Sequence, residues 1–139
     1  MGKKTSFPGV IQCIGGGLDL GDINKGGEAT VNTVIRECEE EIGIGISKED
    51  IIDNKKYVYL REKMSTIGFC YIVNLKMNHT ELLKIFETHK VSHNEIEELI
   101  LVGNSSDNII SFCQNSMLVD YLKDVVLDFS GIDVLGQAE

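Results

Sequence analysis

A mixed α and β fold is the class this sequence predicts, and three observations predict it. Residues Glu28 to Ile42 repeat apolar side chains at helical spacing and stop at Gly43. Tyr57 to Arg61 and Thr66 to Lys76 concentrate Tyr, Ile, Val and Phe on either side of a polar interval, as an antiparallel pair of strands does. The only proline is Pro8, and no repeat or low-complexity stretch divides the 139 residues, so one domain spanning residues 1–139 is expected.

The elements follow in order. Gly9 to Ile14 is a short β-prone run that ends at Gly15-Gly16-Gly17, a backbone break. Leu18 to Gly27 is rich in Gly, Asp and Asn and reads as a loop. The helix from Glu28 follows, then the two strands with Glu62 to Ser65 as their turn. Thr80 is a cap for a helix running through Thr88, whose Leu82, Leu83, Ile85 and Phe86 supply apolar surface. Leu99 to Val102 has strand character, and Met117 to Leu127 carries Leu118, Tyr121, Leu122, Val125 and Val126 at helical spacing.

Composition excludes several classes. The longest apolar runs, such as Ile67 to Leu75, fall short of the roughly 20 residues a membrane helix needs. The N-terminus enters Ser6-Phe7-Pro8-Gly9 without the apolar stretch of a secretory signal, so a cytoplasmic location is expected. Cys13, Cys38, Cys70 and Cys113 show no paired spacing of the kind metal or redox motifs use, and are expected as small buried hydrophobes. The triplets Asn78-His79-Thr80 and Asn104-Ser105-Ser106 resemble glycosylation acceptors, which have no role in the cytoplasm. A formal net charge of -9 repels nucleic-acid backbones and anionic membranes. It also repels a small phosphorylated substrate, unless a divalent cation inverts the local field.

The chemistry concentrates on one helix. At about 100° per residue, Val31, Ile35, Cys38 and Ile42 share one arc while Glu37, Glu40 and Glu41 gather on another. The apolar arc faces a core. The three carboxylates stand one turn apart and repel one another unless a cation sits among them, and Mg²⁺ takes hard oxygen ligands of this kind. Arg36 is placed to pair with Glu40 one turn on. Glutamates late in a helix oppose its macrodipole, so helix stability alone does not select them. A solvated acidic face is the plainer alternative.

Glu28, seven residues, then Arg36-Glu37-Cys38-Glu39-Glu40-Glu41-Ile42-Gly43-Ile44 resembles the Nudix box, matching every charged and glycine position from Glu28 onward. The opening glycine of that box falls on Asp22, with Gly21 one residue early, and Cys38 stands where a larger aliphatic residue is usual. The resemblance to the Nudix hydrolase family implies a mixed β-sheet sandwiched between helices, with the box as a loop-helix-loop. Only about a dozen residues precede Gly15 where the family has one or two strands, so an abbreviated sheet is expected, with an edge that a second subunit would cover in a homodimer.

It also implies Mg²⁺-dependent hydrolysis of a diphosphate linkage in a nucleoside diphosphate derivative, such as a nucleotide sugar, an ADP-ribose-like compound or a nucleoside triphosphate. Mn²⁺ is a possible substitute. Carried over by position, Glu37, Glu40 and Glu41 are the implied metal ligands, Glu28 a supporting or secondary ligand, and Arg36 the residue that orients the glutamates. Glu37, Glu40 and Arg36 are the implied catalytic set. Glu95, Glu97 and Glu98 stand where related enzymes place an extra acid, although a charged loop explains them equally. Gly15 to Gly17 either brings backbone amides to phosphates or forms a plain tight turn. His79, His89 and His93 show no ligand spacing and read as exposed loop or helix-end residues, and Tyr57 and Tyr59 as strand filler rather than a base platform. A catalytically weak Nudix-fold module that binds nucleotides or regulates is the alternative function. A helical interaction protein with an acidic face is the third.

Overall fold

The computed structural model describes residues 11, 13–61, 66–93 and 96–132. Five α-helices and two strands appear in the order α1 (Leu20–Asn24), α2 (Ala29–Ile42), β1 (Ile51–Arg61), β2 (Thr66–Val73), α3 (His79–Lys90), α4 (Ser106–Asn115) and α5 (Leu122–Phe129). Mixed α and β is therefore the observed class. Of the described residues, Ile14–Leu99 form one compact unit, and Ile11, Cys13 and residues 100–132 belong to a second.

In the first unit α2 is the central element. Gly43 closes it in the left-handed conformation, φ 78°, and sends its amide back to Cys38 and Glu39, a C-cap that favours glycine. Val31, Cys38 and Ile42 are buried and Ile35 packs against them, so the apolar arc faces the core as expected. Ile44, Ile46 and Ile51 continue that core after the helix, and Phe86 of α3, 1% exposed, fills it.

β1 and β2 pair antiparallel in the register Val58 with Phe69, Tyr59 with Gly68, and Leu60 with Ile67; the register is interrupted between Ile51 and Lys56. Tyr59 lies across Gly68, where a β-carbon would stand 2.1 Å from its ring, so any side chain there would have to displace the ring. The pair is the two-stranded sheet of the described residues. β1 begins six residues earlier than the predicted strand, at Ile51 rather than Tyr57, and β2 ends at Val73 rather than Lys76. The expected turn, Glu62 to Ser65, lies outside the described residues.

Three local expectations are corrected. The stretch Leu18 to Gly27 contains α1, because Asp19 accepts the amide of Asp22 while the Asp22 side chain accepts the amide of Asp19, a reciprocal capping box. The cap of α3 is Asn78 rather than Thr80, since its side chain accepts from the Glu81 amide, and the helix runs on to Lys90. Leu99 to Val102 is not a strand: the run divides between the two units, and Ile100, Leu101 and Val102 are 45%, 48% and 37% exposed. A β-prone composition makes a strand only where neighbours pack against it.

The second unit holds α4 and α5 around Ile109, Cys113 and Leu127, with Phe112, Leu118, Val126 and Ile132 against them. Helix α5 starts at Leu122, later than Met117, because Leu118 forms an isolated parallel bridge with Ile11. Ile11 donates to the Met117 carbonyl and accepts from the Val119 amide. The rest of the expected strand around Ile11 includes Gly9, Val10 and Gln12, which lie outside the described residues. No helix among the described residues is long and apolar enough to cross a membrane.

Candidate functional site

The polar side of α2 is organised by Arg36. Its Nε donates to Asp22 Oδ1 and its Nη2 to Asp22 Oδ2, each at 3.1 Å, a two-toothed pairing with a carboxylate that is 1% exposed. Its Nη1 donates to Glu37 Oε1 at 2.8 Å and to Glu40 Oε2 at 2.7 Å. Nη2 also donates to the Gly17 carbonyl at 2.9 Å, and Asp19 lies 3.4 Å from Nε. One guanidinium therefore bridges α1, the glycine run and two turns of α2. The expected pairing with Glu40 is present, and the pairing with Asp22 is the addition.

Asp22 is held from other sides as well. Thr33 Oγ1 donates to it at 2.8 Å, which explains a buried hydroxyl on α2, and the Asp19 amide donates at 3.0 Å. Asn32 Nδ2 donates at 2.9 Å to the carbonyls of both Asp22 and Gly26. Asn32, Thr33 and Arg36 lie at i, i+1 and i+4 of one helical face, and together they fasten α1 to α2. The Arg36 guanidinium beside Asp22 holds that carboxyl far below the usual range, and Asp22 in turn keeps Arg36 charged.

The glycine run lies along the carboxylates. The Gly15 amide donates to Glu41 Oε2 at 3.1 Å, and a β-carbon on Gly16 would fall 2.4 Å from Glu37 Oε1. Gly16 therefore has to be glycine for Glu37 to keep this position. The run thus lies against carboxylates of its own chain, Glu41 and Glu37 of α2.

Glu28 is placed differently from the other implied ligands. It stands at the N-terminus of α2 without capping it, and its carboxylate accepts from Tyr71 Oη of β2 at 2.5 Å and from Lys56 Nζ of β1 at 3.2 Å. Thr30 Oγ1 lies 2.5 Å from the same tyrosine oxygen. The Tyr71 hydroxyl first, and Lys56 after it, lower the Glu28 pKa, while burial and the Glu28 charge raise that of Tyr71. Glu28 thus connects α2 to the strands.

Behind the acidic face, burial pushes the Cys38 thiol up to about 11, helped by the charges of Glu41 and Glu37, so it stays protonated at neutral pH. Cys70 and Cys113 are buried too, whereas Cys13 is half-buried. His89, read as an exposed residue, is half-buried in the last turn of α3, with Nε2 2.7 Å from the Glu40 carbonyl near the end of α2. It stacks on His93 at 4.1 Å. Tyr57 and Tyr59 are half-buried in β1. Glu97 and Glu98 are exposed in a segment without regular structure, and Glu95 lies outside the described residues.

The structure brings together Arg36, Glu37 and Glu40, sets Glu41 against Gly15, and engages Glu28 with the strands. Among the described residues no group of three or more His, Cys, Asp or Glu is arranged to hold a metal ion. Sequence reasoning passed over Asn32 and Thr33, and it assigned Asp22 and Gly16 no partner on α2. Asp22 counted as a departure from a pattern; its signal was an Asp-x-x-Asp spacing with Asp19, the shortest form of a capping box. No family model, no curated protein and no solved structure matches the chain.

Proposed function

We propose that the chain is a Mg²⁺-dependent hydrolase of the Nudix type, cleaving a diphosphate linkage in a nucleoside diphosphate derivative. The observation that carries this reading is the geometry of Arg36, which holds Glu37 and Glu40 at 2.8 and 2.7 Å on one side of α2. A helix with a merely solvated acidic face has no need of a glycine run fitted against its carboxylates, yet Gly15 and Gly16 lie against Glu41 and Glu37.

The donor set suits Mg²⁺ in kind, since Glu37, Glu40 and Glu41 supply hard anionic oxygens from adjacent turns. When bound, the cation neutralises diphosphate oxygens and makes a coordinated water more acidic. The chain's own part is to hold Glu37 and Glu40 together through Arg36, and to supply a carboxylate that takes the proton of the attacking water as the bond between phosphorus and the bridging oxygen breaks. Glu37, Glu40 and Glu41 would be the residues to hold the cation, and in this arrangement Arg36 satisfies the first two.

The test is phosphate release from nucleotide sugars, dinucleoside polyphosphates and oxidised nucleoside triphosphates, with and without Mg²⁺, together with melting curves in the same metal series. A ligand bound only by the folded state at 100 times its Kd adds about 2.7 kcal/mol. Absence of both turnover and a metal-dependent shift would overturn the reading. A second reading, a nucleotide-binding or regulatory module with weak hydrolysis, is favoured by the engagement of Glu28 with Lys56 and Tyr71. Nucleotide binding without turnover would select it.

A further inference from the structure

We propose that the outward face of the β1 and β2 hairpin is an interface for a second copy of this chain, with two hairpins packing face to face across a twofold axis. Four side chains form it. Val58 stands opposite Phe69 and Leu60 opposite Ile67, so all four project from one side of the pair. Val58, Leu60, Ile67 and Phe69 are 61%, 62%, 65% and 44% exposed. The proposal is independent of the chemistry assigned to α2.

The sequence of β2 is that of a strand covered on both sides. Ile67 to Val73 runs without the alternating polar residues that mark a solvent side. One side is occupied, since Tyr59 lies across Gly68 and Cys70 is buried. On the other side α2 reaches only the near end, where Tyr71 contacts Glu28 and Thr30, and the four residues beyond it meet solvent. At these exposures the patch presents on the order of 400 Å², within the range that marks interaction sites on monomers. None of the four carries a charge, and Lys56, next along this side, is paired with Glu28. A chain of net charge -9 repels its own copies over most of its surface, so copies meet where charge is lowest. A second copy also brings a sheet of the same twist, which lets the two faces pack aligned with their side chains interdigitated. Patch on patch buries about 800 Å² in all, short of the roughly 1,200–2,000 Å² of a stable interface, so the dimer is weak and depends on concentration. The contact is with the face of the sheet, not with the edge expected from the short N-terminus.

Sedimentation velocity of the full chain across protein concentration and ionic strength tests this. A monomer–dimer equilibrium is expected, with the dimer favoured as salt screens the repulsion between two chains of like charge. A monomer at every concentration and salt level overturns the proposal, as it would if another part of the same chain covered the patch. A dimer that weakens with salt is held by ion pairs and overturns it as well. In the double variant Leu60→Lys, Ile67→Lys the dimer dissociation constant rises roughly tenfold or more, because charges pressed into an apolar contact lose their hydration. It does so although the added lysines lower the net negative charge and hence the repulsion between copies. An unchanged constant places the contact elsewhere, such as on the sheet edge, and overturns the proposal. Val91→Lys, at a residue 89% exposed outside the hairpin, keeps the wild-type constant, and an equal rise there overturns the proposal. Circular dichroism shows whether each variant is folded. Should the double variant unfold, Ile67→Thr keeps a β-branched side chain suited to a strand, and its dimer is expected to be several-fold weaker, with an unchanged constant again overturning the proposal.

Discussion

The two faces of α2 are built on different physics. One buries Val31, Cys38 and Ile42 against Phe86 and the isoleucines that follow the helix, and its fit is a matter of volume. The other carries Asn32, Thr33, Arg36, Glu37 and Glu40, which make directed hydrogen bonds and ion pairs to α1, to Gly26, to the glycine run and within the helix. The difference teaches that one helix separates what stabilises the fold from what organises charge. Damage to one face should therefore leave the other's property intact.

The largest expected effect falls on the charged face. If the proposed hydrolysis holds, Glu40→Gln and Glu41→Gln should each lower its rate by about 10² to 10³, the usual loss for one preorganised electrostatic contact. Their melting temperatures stay close to wild type, because the Glu40 side chain is 56% exposed and a surface pair contributes only about 0–1 kcal/mol. Glu39→Gln is the control, since Glu39 is exposed in the variable position and should change neither property. Loss of activity in Glu39→Gln with the other two near normal would show that the roles on this face are wrongly assigned.

The converse change comes next. Ile42→Ala empties a site 3% exposed and costs about 2–5 kcal/mol in urea unfolding, with the midpoint of the proposed Mg²⁺-dependent melting shift unmoved. A shifted midpoint would mean that the two faces are coupled. Gly43→Ala is smaller: a left-handed φ of 78° is strained for alanine, and its β-carbon would meet the His89 ring at 2.8 Å, for a cost of about 1–2 kcal/mol. Stability equal to wild type would show that the C-cap is not fixed as described.

The smallest effect at neutral pH becomes visible in acid. Asp22, Glu28 and Asp50 all have lowered pKa values, through Arg36, Tyr71 and the Ser47 amide respectively. Carboxyls depressed in the folded state contribute stability that is fully present above their unfolded values near 4 and is lost as pH falls through the folded ones. Urea midpoints should therefore hold steady from neutral pH and decline below about pH 4, with a shallower decline in Asp22→Asn. Parallel slopes for the two proteins would show that Asp22 is not responsible.

Much of this contrast was legible in the sequence, and the reasons for the gaps are physical. The helix Ala29–Ile42 was visible because fourteen residues of 3.6 periodicity end in a glycine. The pairing of β1 with β2 was visible in composition. Helix α4 was missed: Ser105 caps it through the Asn108 amide at 3.2 Å, but Ile109, Phe112 and Cys113 are set among Ser and Asn residues that favour turns over helix interiors. Helix α1 is five residues long, too short for periodicity to register. On the charged face the acidic residues and Arg36 were legible from spacing alone. The buried partner was not, because spacing along one helix carries no sign that its arginine reaches back fourteen positions.

That short separation has a kinetic consequence. Contacts between α1 and α2 close loops of ten to fourteen residues, from Asn32 to Asp22 and from Arg36 to Asp22, whereas Glu40 meets His89 across forty-nine. Closing a loop of about ten residues takes on the order of 10–100 ns, and the entropy lost rises with the logarithm of its length. The contacts of Asn32, Thr33 and Arg36 with α1 are therefore able to form ahead of the apolar face, which awaits α3. Refolding should slow when Asp22 is altered, while a change at Phe86 should appear mainly as faster unfolding.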